Sequence, residues 1–477
     1  MQAQTAIPLA ALPTTVNKER MTIPLEEEAK SQPYFLIVTL GCAKNEVDSD
    51  RMRALLLRDG LKETKDIAKA DVVLINTCSF LSAATSESLE TTFELADVKP
   101  VNKAPIIMCG CVPSRYGGSL APQLPEVSAF VKADEEDSIT DVVDKVLGRQ
   151  KLASPHTESP FGFRTIEGAS AFVKISEGCD RYCAFCAIPY IRGHYHSRPA
   201  EEICNEVDAL MKGGVREMVL IGQDTGIWGC DLEQGDSLAS LLRQVSKVVH
   251  PYGGWIRVLY LQPEGMTDEL IAAIRDIPEV LPYIDIPIQH CNERVLASMG
   301  RSGSRKQLTE LFARLRKEIP GMVLRTTGMT GFPGETDAEA DELAEFLQQE
   351  EFDYISVFSY SAEEGTRAAK MPGQIPEEVK RARTQRLHDI AELSGFAATA
   401  RHVGERASVI IDGIEEGERG PELIGHTWFQ APDCDGAVHI AYGEAAVGDI
   451  VNCELTDSVC YELYGSITAD ENADKVK

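Results

Sequence analysis

Three of the thirteen cysteines in this 477-residue chain are packed into eight residues. Cys179, Cys183 and Cys186, read from GCDRYCAFC, form a C-x-x-x-C-x-x-C run. Three thiolates on one short loop can converge on a single metal centre. Structural zinc is closed by four ligands, and iron–sulfur cubes are most often held by four cysteines. No fourth cysteine lies close in sequence. An iron left with an open position is what a reactive, substrate-ligating cluster requires. The competing reading is a zinc site completed by His194 or Cys204.

Three further cysteines follow short apolar runs near the start: Cys42 in TLGCAKNEVDS, Cys78 in NTCSF and Cys111 in CGCVPSRY. A parallel sheet brings the carboxyl ends of its strands to one edge, so these three can meet there. Each alone would more often be a buried core cysteine. Cys109 is assigned to the strand itself. Cys204, Cys230, Cys291, Cys434, Cys453 and Cys460 are scattered and read as structural. His194 and His196 are assigned to a loop, and the nine histidines form no metal-like cluster. There is no Walker-A loop, no G-x-G-x-x-G after a strand, no H-E-x-x-H and no G-x-S-x-G.

The elements that must position these thiols follow from periodicity. Runs rich in Val and Ile at 34–40, 71–76 and 105–108 suit strands buried on both faces. Helical patterns at 47–57 and 82–96 lie between them, which predicts a βαβ domain with a parallel sheet over 34–148. Residues 149–168 carry Pro, Ser and Gly without a period and read as a linker. Strand candidates at 172–176, 217–221, 255–261, 283–288, 322–326 and 354–358 alternate with helices, including 200–211, 267–276 and 337–349. Six such βα units predict a partial or full barrel over 169–400, with its site at the carboxyl ends of the strands. A charged helix over 376–399 leads out of it. Residues 401–468 show short strands between Gly and Asp turns and read as a small antiparallel barrel. Residues 1–33 are expected to be a disordered arm and 469–477 a tail.

Composition excludes other classes. Hydrophobic residues make up 43% and charged residues 26%, which is globular. No run of 18 apolar residues is present for a membrane helix, and the first 30 residues lack a secretory pattern. The net charge of −28 argues against a generic nucleic-acid binder and for a soluble cytoplasmic protein with a basic partner. Residues 401–477 alone hold five Lys and Arg against sixteen Asp and Glu.

With Phe185 as the aromatic, C-x-x-x-C-x-aromatic-C resembles the signature of radical S-adenosylmethionine enzymes. The preceding three-cysteine domain and the small terminal barrel make the domain order, from Tyr34 to Gly465, similar to that of the methylthiotransferases. That resemblance implies an α/β parallel-sheet domain, a TIM-like (β/α) radical domain and a TRAM/OB-like β-barrel. It implies a transferase with two 4Fe-4S clusters. Cys179, Cys183 and Cys186 would hold the one that binds S-adenosylmethionine and generates a 5′-deoxyadenosyl radical. Cys42, Cys78 and Cys111 would hold an auxiliary one that handles the inserted sulfur, and a second S-adenosylmethionine would give the methyl group. GFPGET at 331–336 resembles the family loop near the cofactor, and LIGQD at 220–224 a strand end near it. The S-adenosylmethionine pocket is therefore assigned to Phe185, Gln223, Gly331, Gly334 and Glu335, with no catalytic side chain beyond the cluster ligands. Gly328-Met329-Thr330 departs from the bulkier apolar residues that usually precede that loop.

Two substrates are known in this family: a tRNA adenine derivative next to the anticodon, and an aspartate of small-subunit ribosomal protein twelve. TLGCAKNEVDS (with Ala43 where Pro is usual), DIPIQHCNERVLASMGRSGS and APDCDGAVHI resemble the protein-modifying branch. Pro189-Tyr190 is more often seen in the tRNA branch. RNA binding rests on Lys and Arg contacts to phosphate, and the acidic terminal barrel should repel RNA and attract a basic protein. The expected reaction is methylthiolation at the β-carbon of that aspartate, with Ala431, Pro432, Asp433, Asp435 and Gly436 docking the substrate. A low-potential electron donor and a sulfur source are implied as partners, with no membrane and no tRNA. The alternatives are the tRNA reaction and, from another class, a non-catalytic iron–sulfur redox protein.

Overall fold

Alternation decides the first sheet. Along VVLINT, Val72 and Leu74 pack into one apolar layer while Val73 and Ile75 pack into another. A strand apolar on both faces must be covered on both. The computed structural model describes residues 32–98, 104–149, 168–232, 235–417 and 420–468. The expected arm apart from Gln32 and Pro33, the linker apart from Arg149 and Gly168, and the tail lie outside these residues. The chain forms two units, 1–165 and 166–477.

The first unit is a five-stranded parallel sheet of β1 (Tyr34–Thr39), β2 (Lys62–Glu63), β3 (Val72–Thr77), β4 (Ile106–Gly110) and β5 (Val127–Lys132), in the order β2-β1-β3-β4-β5. Its helices are α1 (Ala43–Arg58), α2 (Ser82–Val98), α3 (Cys111–Tyr116) and α4 (Ile139–Leu147). Met52 and Leu56 of α1 and Val143 of α4 close one face over Leu74 and Ile107. Val112 of α3, with Leu89 of α2, closes the other over Ile75 and Met108. Each such buried side chain stabilises the fold by about 1.5–3 kcal/mol. The strands and helices expected up to residue 108 are present within a few residues of their predicted ends. β5 and α4 were not anticipated.

The second unit holds two layers of structure. Its large sheet takes β6 (Ser170–Lys174), β9 (Glu217–Ile221), β10 (Trp255–Val258), β11 (Val280–Gln289), β12 (Val323–Thr330) and β13 (Tyr354–Ser359), all parallel and in chain order. A short antiparallel pair, β7 (Ser176–Glu177) and β8 (His196–Ser197), stands beside it. Helices α5 (Ile188–Arg192), α6 (Ala200–Lys212), α7 (Leu238–Val249), α8 (Asp268–Asp276), α9 (Glu293–Met299), α10 (Arg305–Glu318), α11 (Asp337–Gln349) and α12 (Glu377–Ala400) fill the connections. Of the partial or full barrel expected, the chain builds the partial form, with β6 and β13 as edges.

The terminal module is a closed barrel of β14 (Arg406–Gly417), β15 (Gly420–Thr427), β16 (Val438–Ile440), β17 (Ile450–Val459) and β18 (Glu462–Ile467). One expectation is corrected here: β16 and β18 pair in parallel, while the other neighbours are antiparallel. Five strands in a closed ring cannot alternate direction all the way round, so one pair must run the same way.

A buried ionic seam joins barrel to sheet. Glu217, at the amino end of β9, accepts from Arg257 Nε at 2.5 Å and lies 2.7 Å from His426 Nε2 on β15. His426 Nδ1 meets Asp412 of β14 at 2.6 Å. The Arg257 guanidinium sits 4.4 Å from the centre of the Tyr283 ring, and the Tyr283 hydroxyl donates to Asp435. Arg325 bridges Asp435 at 3.1 Å and Asp285 at 3.2 Å. Burial alone would push the His426 imidazole down, but Glu217 and Asp412 outweigh it and hold it up at about 9. Because that value stands above the ordinary 6.5, the stability it contributes is complete below about pH 6.5 and is lost as pH rises through about 9. Thermal melts taken from about pH 6 to about pH 10 should show this decline, and His426→Gln should flatten it and cost roughly 3 kcal/mol. A variant with the parent's slope would show that His426 is not the titrating group.

Candidate functional site

In the first unit, β1, β3 and β4 are neighbours, so their carboxyl ends stand side by side. Cys42 follows β1 at the N-cap of α1 and makes no side-chain cap bond. Cys78 follows β3 directly, and Cys111 opens α3 directly after β4. Cys42 is exposed, Cys78 half-buried and Cys111 buried, so the set opens to one side.

One buried carboxamide stitches these turns together. Asn45 Nδ2 donates to the Leu40 and Thr77 carbonyls, each at 2.9 Å. Its Oδ1 lies 3.9 Å from the sulfurs of both Cys42 and Cys111. Gly41 has φ +107°, and a Cβ there would come within 2.7 Å of Cys78 Cβ and 3.1 Å of its sulfur. Only glycine satisfies both the backbone and the close approach. Asn45 and Gly41 stand inside the quoted TLGCAKN motif, yet a pattern of types does not reveal what a side chain bonds. Cys109 lies in β4 as expected, and burial raises its thiol well above the ordinary range.

In the second unit, the loop bearing Cys179, Cys183 and Cys186 is clamped on every side. Gly178 has φ +73°, and a Cβ there would meet the His194 carbonyl oxygen at 2.0 Å. Cys179 N donates to Gly193 O at 3.2 Å, and Cys186 N to Cys183 O at 3.0 Å. Ala184 N donates to Met299 O at 2.7 Å, and Ala184 O accepts from Ala368 N at 2.8 Å. Arg181, inside the motif, pairs with the wholly buried Asp224 and reaches Glu264 at 3.3 Å. Burial, with smaller contributions from the other two thiols, pushes Cys186 up to about 12, and burial raises Cys179 as well. Thiols raised in this way ionise readily only with a cation among them. The two fourth ligands that a zinc site would use are engaged elsewhere. His194 is exposed and bonded to Asp180 at 2.7 Å, and Cys204 packs against the central core. Among the described residues, no three His, Cys, Asp or Glu side chains close on one point as ligands of a single ion would. A cube asks less of them, since each thiolate meets a different iron.

Around this loop, at the carboxyl ends of the strands, lies a buried polar set. Glu177 accepts from Lys174 at 2.8 Å, Arg192 at 3.4 Å and Gln223 Nε2 at 2.6 Å. Burial would raise its carboxyl, but Lys174 and Arg192 overcome that and hold it at about 2. Gln223 Oε1 and Asp224 Oδ1 are buried without a partner. Orphaned acceptors of this kind fit a ligand that brings donors, as the ammonium and ribose hydroxyls of S-adenosylmethionine do. Phe185 is half-buried against a layer of Val295, Met299, Phe332 and Tyr360. Met329, in the segment that departs from the family pattern, packs against the same layer. Gly331 has φ +79°, and a Cβ there would strike Lys380 at 2.6 Å. Gly334 is tied through its N–H to Gly373 O at 2.8 Å.

Two assignments need correction. Glu335 was placed in the cofactor pocket, but its carboxylate is spent inside the protein. It accepts from Gly331 N at 2.7 Å, Thr330 Oγ1 at 3.1 Å and Arg383 at 2.6 Å, with His290 Nε2 at 3.3 Å. It braces the glycine loop from within the protein, chiefly through Oε2. Ala431, Pro432 and Asp435 were placed on a docking surface but are buried, and Asp435 is the acceptor of the seam described above. Asp433 is exposed and Gly436 half-buried. Asp433, like the cluster-loop residue Tyr182, takes a left-handed backbone at a non-glycine position.

Gly41→Ala should displace Cys78 and weaken metal uptake by the first triplet. The measure is iron retained after anaerobic reconstitution of a chain whose Cys179, Cys183 and Cys186 are all Ala. Unchanged retention would show that Cys78 does not need that close approach.

Comparison with known proteins places these features in a family. Residues 34–132 match an uncharacterized protein family, UPF0004, residues 173–347 the Radical SAM superfamily, and residues 403–468 the TRAM domain. The chain is 40% identical over 437 residues to the ribosomal protein uS12 methylthiotransferase RimO of Trichlorobacter lovleyi, covering 90% of this chain and 96% of that one. It is 40% identical over 439 residues to the protein of the same name from Geobacter sulfurreducens, covering 90% and 98%. The fold is similar to the solved structure of the radical S-adenosylmethionine methyltransferase TsrM from Kitasatospora setae with cobalamin and a 4Fe-4S cluster bound. There the TM-score is 0.51 at 14% identity, over 69% of this chain and 75% of that one. With both thiol triplets at strand carboxyl ends and this identity over nearly the full length of its relatives, the chain belongs to the RimO family of methylthiotransferases.

Proposed function

We propose that this protein transfers a methylthio group to the β-carbon of an aspartate of ribosomal protein uS12. The single observation that carries this reading is the near-full-length identity to the uS12 methylthiotransferases. When bound, an iron–sulfur cluster and S-adenosylmethionine supply the radical that removes hydrogen from an unactivated carbon, and the methyl group.

The chain's own residues supply placement. Cys179, Cys183 and Cys186 hold one 4Fe-4S cluster and leave a position open for S-adenosylmethionine. Cys42, Cys78 and Cys111 hold a second, auxiliary cluster. Gln223, set by Glu177, and Asp224, set by Arg181, offer their orphaned oxygens to the cofactor's donors. Gly331 and Gly334 shape the loop that Glu335 braces. Phe185 and the apolar layer beneath it keep water from the reacting centre. Residues 34–148, 169–400 and 401–468 serve as sulfur-handling, radical-generating and substrate-docking modules. A low-potential electron donor and a sulfur source complete the reaction, which takes place in the cytoplasm. Among the described residues, no helix is long and apolar enough to cross a membrane.

Anaerobic iron and sulfide assays should find about eight of each per chain, and about half after Cys179, Cys183 and Cys186 are replaced by Ala. A triple variant that kept all its iron would refute the two-cluster assignment. With S-adenosylmethionine, a strong reductant and uS12, the reconstituted chain should release 5′-deoxyadenosine and add a methylthio mass to the aspartate peptide. A fully clustered chain that released no 5′-deoxyadenosine would be an electron carrier. One that modified an anticodon stem instead of uS12 would belong to the tRNA reaction.

A further inference from the structure

Tyr182 lies within the cluster loop, directly before Cys183, and Tyr190 stands four residues after Cys186. Both are large aromatic side chains left open to solvent, 46% and 57% exposed. Their rings meet edge to face, with centroids 6.2 Å apart and planes at 71°. The Tyr182 backbone has φ +47°. A bulky side chain in that region is an outlier, and glycine would adopt it without strain. Burial does not account for the choice of residue, because the ring is exposed. Strain retained at an exposed position beside a reactive centre points to use of the ring itself.

Among the described residues six non-glycine positions have positive φ; Tyr260 and Gln289 lie at or just beyond the carboxyl ends of β10 and β11, and Tyr182 lies in the cluster loop that follows β7. The loop under Tyr182 cannot relax. It is pinned through Cys179 to Gly193, through Ala184 to Met299 and Ala368, and through Arg181 to Asp224. The backbone that carries the Tyr182 ring is therefore fixed in advance of any ligand, as a specificity element requires.

We propose that Tyr182 and Tyr190 form a substrate-positioning platform, on which the polypeptide flanking the target aspartate of uS12 lies across the mouth of the cluster loop. The inference rests on the reading above that uS12 is the substrate. Continuity with the Cys179–Cys186 loop argues for the occupant: S-adenosylmethionine takes the open cluster position, so the carbon to be modified must come to the same loop, beside these rings, and on the reading above that carbon belongs to uS12. A nucleobase is the poorer fit. Base recognition by aromatic side chains uses stacking on open ring faces, and an edge-to-face pair leaves no parallel-walled slot. The net charge of −28 also opposes a phosphate backbone.

The test uses the full reconstituted chain and a synthetic peptide spanning the target aspartate of uS12. Tyr182→Ala and Tyr190→Ala should each raise KM for the peptide roughly tenfold, the usual scale for truncating an aromatic anchor. The loss should fall on KM far more than on kcat, with the parent's iron content. Tyr182→Phe and Tyr190→Phe should restore KM, because the ring and not the hydroxyl makes the contact. Tyr182→Gly relieves the backbone, so it should melt no lower than the parent yet share the raised KM. Parental KM in the Ala variants would overturn the platform, as would Phe variants as impaired as Ala or a loss confined to kcat and iron. Anticodon-stem RNA bound by the parent and released by Tyr190→Ala would overturn it in favour of base stacking. If the parent itself failed to modify the peptide, the uS12 reading would fall, and the platform with it.

Discussion

Thiols can be gathered around one centre only where separate stretches of chain end together, and parallel strands end on the same side. Each unit of this protein uses that constraint. In the first, three adjacent strands deliver one cysteine each, so the spacing between thiols is set by the spacing between strands. In the second, one loop beyond β6 and β7 carries all three cysteines, and the ends of its neighbours supply what surrounds them: Gln223 and Asp224 beyond β9, Glu264 beyond β10, and the glycine loop beyond β12. Antiparallel strands would send half of these groups to the opposite edge. The cost of a parallel sheet is that both faces must be covered, which explains the long apolar runs and the many helices between them.

The opposite edge of the large sheet faces a different problem. Barrel and sheet meet over Glu217, Arg257 and Tyr283, all deeply buried, and over the half-buried Arg325. Removing such charges from water costs several kcal/mol per ion unless geometry and hydrogen bonds offset it. An apolar contact would be cheaper, but it would tolerate sliding and rotation. A chain of directional bonds from Arg257 through Glu217 and His426 to Asp412 admits one docking of the barrel. Tyr461, in the turn between β17 and β18, adds a second tie from the barrel by donating to Ala391 O of α12 at 2.8 Å. The seam sits at the amino ends of the strands, which leaves the carboxyl ends to the chemistry.

Much of this was legible in sequence because the signals are local. The thiol triplets are defined by spacing, and β3, β4 and β9 by short Val/Ile-rich runs. Other features depend on information no local pattern holds. β5 is an edge strand with exposed residues at Ser128 and Lys132 and only half-buried ones at Ala129 and Phe130, so it lacks the continuous apolar run that marks its neighbours. The parallel pairing of β16 with β18 follows from the count of strands in a ring, not from either strand. Asp435 and Glu335 were misread for one shared reason. An acidic residue in a Gly- or Pro-bearing loop suggests a surface ligand, whereas here Arg325 and Arg383, 110 and 48 residues away in sequence, turn each inward. Asn45 was quoted within a motif but given no role, since its importance lies in bonding three turns at once.

The closed terminal barrel has one more consequence. A sheet with free edges can bind an extended chain by continuing its ladder, trading backbone hydrogen bonds almost regardless of sequence. A ring of five strands offers no such edge. Whatever binds this module must be read by side chains on its outer wall, where Ile414, Tyr442, Val459 and Tyr464 stand exposed among carboxylates. Selection by shape and charge is slower to satisfy than strand addition, but it refuses the unfolded or partly made polypeptides that any free edge would capture.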